Sequence, residues 1–208
     1  MDKKDILAPL QWRYATKLYD TNKKLSKEDL DTMLEAGRLS PSMSWTQPWH
    51  FIVISDQTIK EQLRSNYAKG NLQVKQAPYL IVLCRIINYG PEYIDQIIKD
   101  TADIRWVSID SLEEYREMLT WFVTSSDIWT RSNVYISLGM MVYAAAQLGI
   151  DASPMWWFNH KWFDEVLWLR EKNLESVVLL AVGYRDKSDP ASQVKKVRRP
   201  IDKIITYI

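Results

Sequence analysis

Several common chemistries are excluded by what this chain has little of. It holds one cysteine, two histidines and six glycines in 208 residues. A lone Cys84 rules out an internal disulfide framework and suits a reducing compartment, so a cytoplasmic location is expected. His50 and His160 lie in unrelated segments, and with Cys84 they are too few for a His/Cys metal cluster. Each histidine is read as structural or exposed, and Cys84 as a small buried hydrophobe. There is no G-x-G-x-x-G dinucleotide turn, no G-x-x-x-x-G-K-[ST] phosphate loop and no G-x-S-x-G nucleophile elbow. With 27 bases against 26 acids the net charge is +1, which lacks the basic excess of a nucleic-acid binder. No run approaches the ~20 apolar residues of a membrane span. The opening MDKKDILAPLQWRYATK lacks the apolar segment of a secretory signal. Acid pairs such as Glu113 and Glu114 read as solvated helix faces. Any chemistry is therefore expected to belong to a bound cofactor.

Aromatic surface is abundant: ten tryptophans and eleven tyrosines. Such a stock covers a flat ligand or a subunit interface. SPSMSWTQPWHF, residues 40–51, concentrates it beside small hydroxyls and two prolines. The segment is either a ligand-binding loop or a packed connector, and Trp49 is read as core. A helix is expected over LSKEDLDTMLEAGRLS, capped by Ser26, with Glu28 and Asp29 in its first turn and Pro41 ending it. HFIVIS reads as a strand, followed by a helix over QTIKEQLRSNYAK that Asp56 caps. PYLIVLCRII, apolar on both faces, reads as a central strand and SVVLLAVGYR as a third buried one. Helices are expected near 91–99 and 111–123, and over NHKWFDEVLWL. The longest runs from Asp127 to Leu148, closed by Gly149. It is apolar all round and so buried all round, most easily with help from a second subunit. The tail KKVRRPIDKIITYI could pair at a sheet edge. Strands alternating with helices argue an α/β or α+β layer fold in a single domain over 1–208.

Four basic residues stand out. Arg13 and Lys17 lie four apart in WRYATK, the spacing of one helical face. Lys196 and Arg198 lie two apart in VKKVRRP and share a face if that segment is extended. The two ends could clamp one phosphate, or form a solvated basic surface; spacing leaves both open.

The blocks WRYATKLYD, LEAGRLSPSMSWTQPWHFIVI, YISLGMMVYAAAQLGIDASPM, VGYR and KKVRRP together resemble the FMN-dependent nitroreductase family over essentially the whole chain. The resemblance implies an α+β fold, with a central mixed β-sheet flanked by helices. It also implies an intertwined homodimer holding two FMN molecules at its interface, with the long helix as dimer core and the C-terminal segment extended onto the partner. Arg13, Lys196 and Arg198 match the family's FMN-phosphate ligands. Tyr14 and Ala15 match positions beside the phosphate and ribityl chain, and Lys17 a lysine at the flavin's pyrimidine edge. Pro41 and Ser42 match the loop lining the ring from the neighbouring subunit, where Met43 and Trp45 also lie. Asn71 and Gln73 fall near polar contacts to the ring edge. Pro154 and Met155 match the segment beside the central ring. The implied activity is a ping-pong oxidoreductase, with NAD(P)H and then a flat acceptor, a nitroaromatic or quinone, using one place on the flavin. The region of roughly 95–130 is the expected lid.

Departures from the family pattern concern the same site. After Met155 the family commonly has Glu-Gly; this chain has Trp156 and Trp157. Glycine allows close backbone approach to flavin N5, and tryptophan does not do so easily. Trp45 stands where asparagine is usual, and Met43 where a second hydroxyl is usual. FMN is expected to be retained, because the phosphate anchors are present. The alternatives are a non-catalytic flavin or aromatic-ligand binder, and a specialised flavin reductase or dehalogenase with a selective lid.

Overall fold

Two aliphatic runs carry the sheet. Tyr79–Ile86 (β2) and Leu174–Gly183 (β4) are apolar on both faces, which suits strands covered on both sides. The computed structural model describes residues 2–66, 71–122 and 126–208 and places these two strands at the centre of a four-stranded sheet. Trp49–Ile54 (β1) and Asp151–Met155 (β3) are its edges, in the order β1-β2-β4-β3. All three ladders are antiparallel. The mixed sheet is thus corrected among the described strands: parallel pairing is confined to a single bridge, Ala15 to Ala152. SVVLLAVG is the fourth strand in chain order; the short β3 precedes it.

Eight helices are described: α1 Lys3–Trp12, α2 Lys27–Arg38, α3 Gln57–Ser65, α4 Leu72–Gln76, α5 Pro91–Arg105, α6 Glu113–Phe122, α7 Ser126–Gln147 and α8 His160–Val166. Ser26 caps α2 by accepting from Asp29 N–H, and Asp56 caps α3 by accepting from Ile59 N–H. Gly149 closes α7 at φ +68, a left-handed conformation that glycine takes without a Cβ clash. The last part of the helix expected over 57–69, Tyr67–Lys69, and the end of that over 111–123, Val123, lie outside the described residues. One correction bears on the site. α1 stops at Trp12, and Arg13 is already extended (φ −68, ψ 146). Residues 13–19 run along the sheet through the Ala15–Ala152 bridge and a Tyr19–Arg185 bridge. Arg13 and Lys17 therefore share no helical face.

The alternation of β2 divides the core in two. Leu80, Val82, Cys84 and Ile86 face a layer containing Leu63 of α3, Ile94 and Ile98 of α5 and Phe163 of α8. Ile81 and Leu83 face Met33 of α2 and Val134, Leu138 and Met141 of α7. Trp49 belongs to this second cluster, as expected. The opposite side of α7 carries Ile128, Tyr135, Ile136 and Met140, all exposed within one chain. The tail from Val194 forms no strand and is mostly exposed.

Candidate functional site

Both ends of the chain meet beside β3. Asp189, fully buried, anchors the extended segment: its Oδ2 accepts from Tyr14 Oη (2.9 Å), Lys17 N–H (2.8 Å) and Leu18 N–H (3.3 Å), and its Oδ1 from Ala191 N–H (3.0 Å). Burial opposes the charge on Asp189, but these donors outweigh it and hold the carboxyl below the usual aspartate value. Burial and the bond to Asp189 push the Tyr14 hydroxyl up to about 12. Ala15 sits on the bridge to Ala152, and Lys17 is exposed just beyond it.

Arg13, Lys196 and Arg198 gather at the start of this segment. Lys196 Nζ donates to the carbonyls of Leu10 (2.7 Å) and Gln11 (2.6 Å), the open end of α1. Burial, then Arg13, Arg198 and Arg185, push the Lys196 ammonium below its usual value. Burial and Arg198 do the same to Arg13. Arg13 Nε is buried with no hydrogen-bond acceptor. Among the described residues no carboxylate forms an ion pair with Arg13, Lys196 or Arg198. Arg185 is differently placed: it pairs with buried Asp151 (2.7 Å) and its guanidinium lies 4.3 Å from the Trp12 ring centre and 4.5 Å from that of Tyr14. A cluster of cations with a buried, unsatisfied donor calls for an anion, and a phosphate meets the three groups with charge and several acceptor oxygens. The donor set fits the phosphate of FMN.

Farther along β3, Pro154 is half-buried and Met155 buried, while Trp156 and Trp157 stand exposed, their rings edge-to-face at 5.3 Å. Ser153 Oγ beside them is buried without a partner. Asn71 begins α4 without a side-chain cap and Gln73 is buried in that helix. α4 touches the extended segment where Tyr19 N–H donates to Gln76 Oε1 (3.3 Å). So Arg13, Tyr14, Ala15, Lys17, Lys196 and Arg198 come together, with Pro154–Trp157 and Asn71–Gln73 on adjoining elements.

The loop of Pro41, Ser42, Met43 and Trp45 is not among them. It leads into β1, at the other edge of the sheet, three strand spacings or about 14 Å from β3. Its backbone is strained: Ser44, Trp45 and Gln47 have φ of 50, 51 and 44. Such residues persist only where neighbours fix them. Met43 N–H donates to Asn133 Oδ1 (3.0 Å) and Gln47 N–H to Ser42 Oγ (3.0 Å). Tyr89 and Tyr93 hydroxyls both donate to Thr46 O, and Tyr115 to Ser44 O. The result displays Trp45 outward, 63% exposed, against Tyr115. An open groove of about 530 Å³ runs beside it, lined by Pro41, Ser42, Trp45, Gln47 and, from α5, Ile104 and Arg105.

Sequence reasoning missed Asp189, Asp151 and Arg185. Each acts through partners far along the chain, and no local motif marks them. Among the described residues no group of His, Cys, Asp and Glu could hold a metal ion, and no helix is long and apolar enough to cross a membrane.

The family model described as "Nitroreductase family" matches residues 10–184. A protein of Staphylococcus haemolyticus, provisionally named an NAD(P)H nitroreductase, is 33% identical, covering 98% of this chain and 97% of its own. A Bacillus subtilis structure, provisionally called a nitroreductase, superposes with a TM-score of 0.86 at 18% identity over the full length of both chains. One from Exiguobacterium sibiricum, solved with FMN and named in the same provisional way, gives 0.80 at 21% identity, covering 100% of this chain and 99% of the other.

Proposed function

The chain belongs to the nitroreductase family, and from that premise we propose that it is an FMN-dependent oxidoreductase moving hydride from NAD(P)H to a flat electrophile, a nitroarene or quinone. The observation that carries this is the convergence of Arg13, Lys196 and Arg198 around a buried guanidinium nitrogen with no acceptor. When bound, the flavin supplies the redox chemistry, taking hydride and giving it up. The protein supplies place and field. Arg13, Lys196 and Arg198 hold the phosphate; Asp189 fixes the strand that carries Tyr14 and Lys17. Lys17, exposed beyond the Ala15 bridge, would bring positive charge to the ring edge and favour its reduced anionic form. Trp156 and Trp157 would wall the open face and exclude water.

Opposite-edge placement supports a homodimer. One chain offers the phosphate site at β3 and the Pro41–Trp45 loop at β1, so a ring bound at the first is lined by the loop of a second copy. The exposed apolar side of α7 and the exposed tail give that copy surface to cover. On this reading the expected lid of 95–130, of which 123–125 lie outside the described residues, is anchored in a single domain by Ile98 and Leu119 of the core. The lone buried Cys84 suits a reducing cytoplasm.

A second reading, a non-catalytic flavin store, is favoured by Trp156 and Trp157 in place of Glu-Gly. Initial rates at several fixed acceptor concentrations separate the schemes. A shared place on the flavin gives ping-pong kinetics and parallel double-reciprocal lines. Intersecting lines contradict a shared place, and the absence of turnover contradicts the enzyme.

A further inference from the structure

We propose that the groove beside Trp45 seats the electron acceptor and selects flat acceptors bearing a negative charge, with Arg105 meeting that charge. The role as acceptor seat rests on the oxidoreductase reading and its homodimer, in which this loop lines the flavin of the second copy; the binding preference does not. Three non-glycine residues near +50° in φ are held in place by three tyrosine hydroxyls, Asn133 and Ser42. That arrangement serves to present an indole to solvent beside an open groove. The Arg105 guanidinium lies over this indole, 4.3 Å from the ring centre. Arg105 sits in the last turn of α5 and, among the described residues, forms no ion pair with a carboxylate.

The other polar groups of the lining are largely engaged. Ser42 Oγ accepts from Gln47 N–H, Gln47 Nε2 donates to Arg38 O (2.8 Å), and Asp100 accepts from Gln96 Nε2 (2.7 Å). Asp100 and Asp103 are both carboxylates of the groove and compete with an anion there. The preference therefore depends on the ligand's charge lying at the guanidinium end, against Trp45. An aromatic ring stacked along Trp45 places a carboxylate or sulfonate substituent against the guanidinium, where the bond is charge-assisted and directional.

Three probes share one nitroarene body: 4-nitrobenzoate, neutral 4-nitrotoluene and 4-nitrobenzylamine, cationic at neutral pH. Equilibrium dialysis on the full chain without NAD(P)H reads binding, and KM for each compound reads use. The wild type is expected to bind 4-nitrobenzoate about 5-fold tighter than 4-nitrotoluene. Arg105→Gln abolishes that preference and Arg105→Lys keeps part of it, while Lys161→Gln, a charge removed from the exposed face of α8, leaves it intact. Trp45→Ala weakens all three ligands alike, by about 3- to 10-fold. Equal binding of the first two, a preference for 4-nitrobenzylamine, or a preference that survives Arg105→Gln overturns the proposal. A protein that fails to take FMN or to respond to NAD(P)H overturns the oxidoreductase reading instead, and dialysis on the flavin-free chain still decides the preference.

Discussion

Arg13 is half-buried among like charges, with Nε facing no acceptor. Such a group is costly until an anion arrives, so its worth should appear in cofactor affinity. Arg13→Gln is expected to weaken FMN binding by about 10- to 100-fold, measured by titrating the flavin-free protein. Asp189 makes the complementary statement through stability. Its carboxyl is held below the usual value of 3.8, so its contribution is present above that value and is lost as pH falls through the depressed one. Asp189→Asn should cost about 1–3 kcal/mol at neutral pH. Its stability should also fall less steeply than the wild type's between about pH 5 and 2, as followed by urea unfolding at each pH.

At the scale of elements, local pattern and long-range pairing divide the credit. β2 and β4 were legible because a buried apolar run has few other uses, and α2 and α3 because Ser26 and Asp56 cap them. β3 was not: DASPM is five residues with a proline, and its identity comes from pairing with β4. α1 hid for another reason. It buries none of its residues and contains Pro9, which has no N–H for the Asp5 carbonyl; Gln147 Nε2 approaches that carbonyl at 3.5 Å. The i, i+4 spacing of Arg13 and Lys17 misled because the bridges to Ala152 and Arg185 override it. The cationic cluster was legible through family resemblance, whereas Asp189 and Arg185 were invisible because their partners are remote in sequence.

Close packing at the end of β4 gives an element-scale test. A Cβ at Gly183 would lie 2.4 Å from Pro78 Cδ and 2.8 Å from Cγ, atoms of a rigid ring. Gly183→Ala should therefore destabilise by about 1–3 kcal/mol, lowering the urea midpoint without changing the slope. Gly90→Ala, where an added Cβ meets nothing within 4 Å, should stay within about 0.5 kcal/mol of wild type.

On the scale of the whole molecule, the sheet has the phosphate site at one edge and the Trp45 loop at the other. On the proposed homodimer reading, each chain supplies one half of a site that a second copy completes. Sedimentation should give twice the 24.5 kDa chain mass. Ile136→Asp, on the exposed side of α7, should shift the population toward monomer and loosen FMN with it. A monomer that binds FMN as tightly as the dimer would contradict the shared seam.

The paired basic ends are expected to hold a working flavin despite Trp156 and Trp157. The most direct test is the visible spectrum of the purified protein, supplied with FMN and then with NAD(P)H in the absence of oxygen. The flavin colour is expected to remain with the protein through gel filtration, to bleach on NAD(P)H and to return when a nitroarene or quinone is added. Protein that stays colourless after reconstitution, or stays yellow with NAD(P)H, contradicts the account.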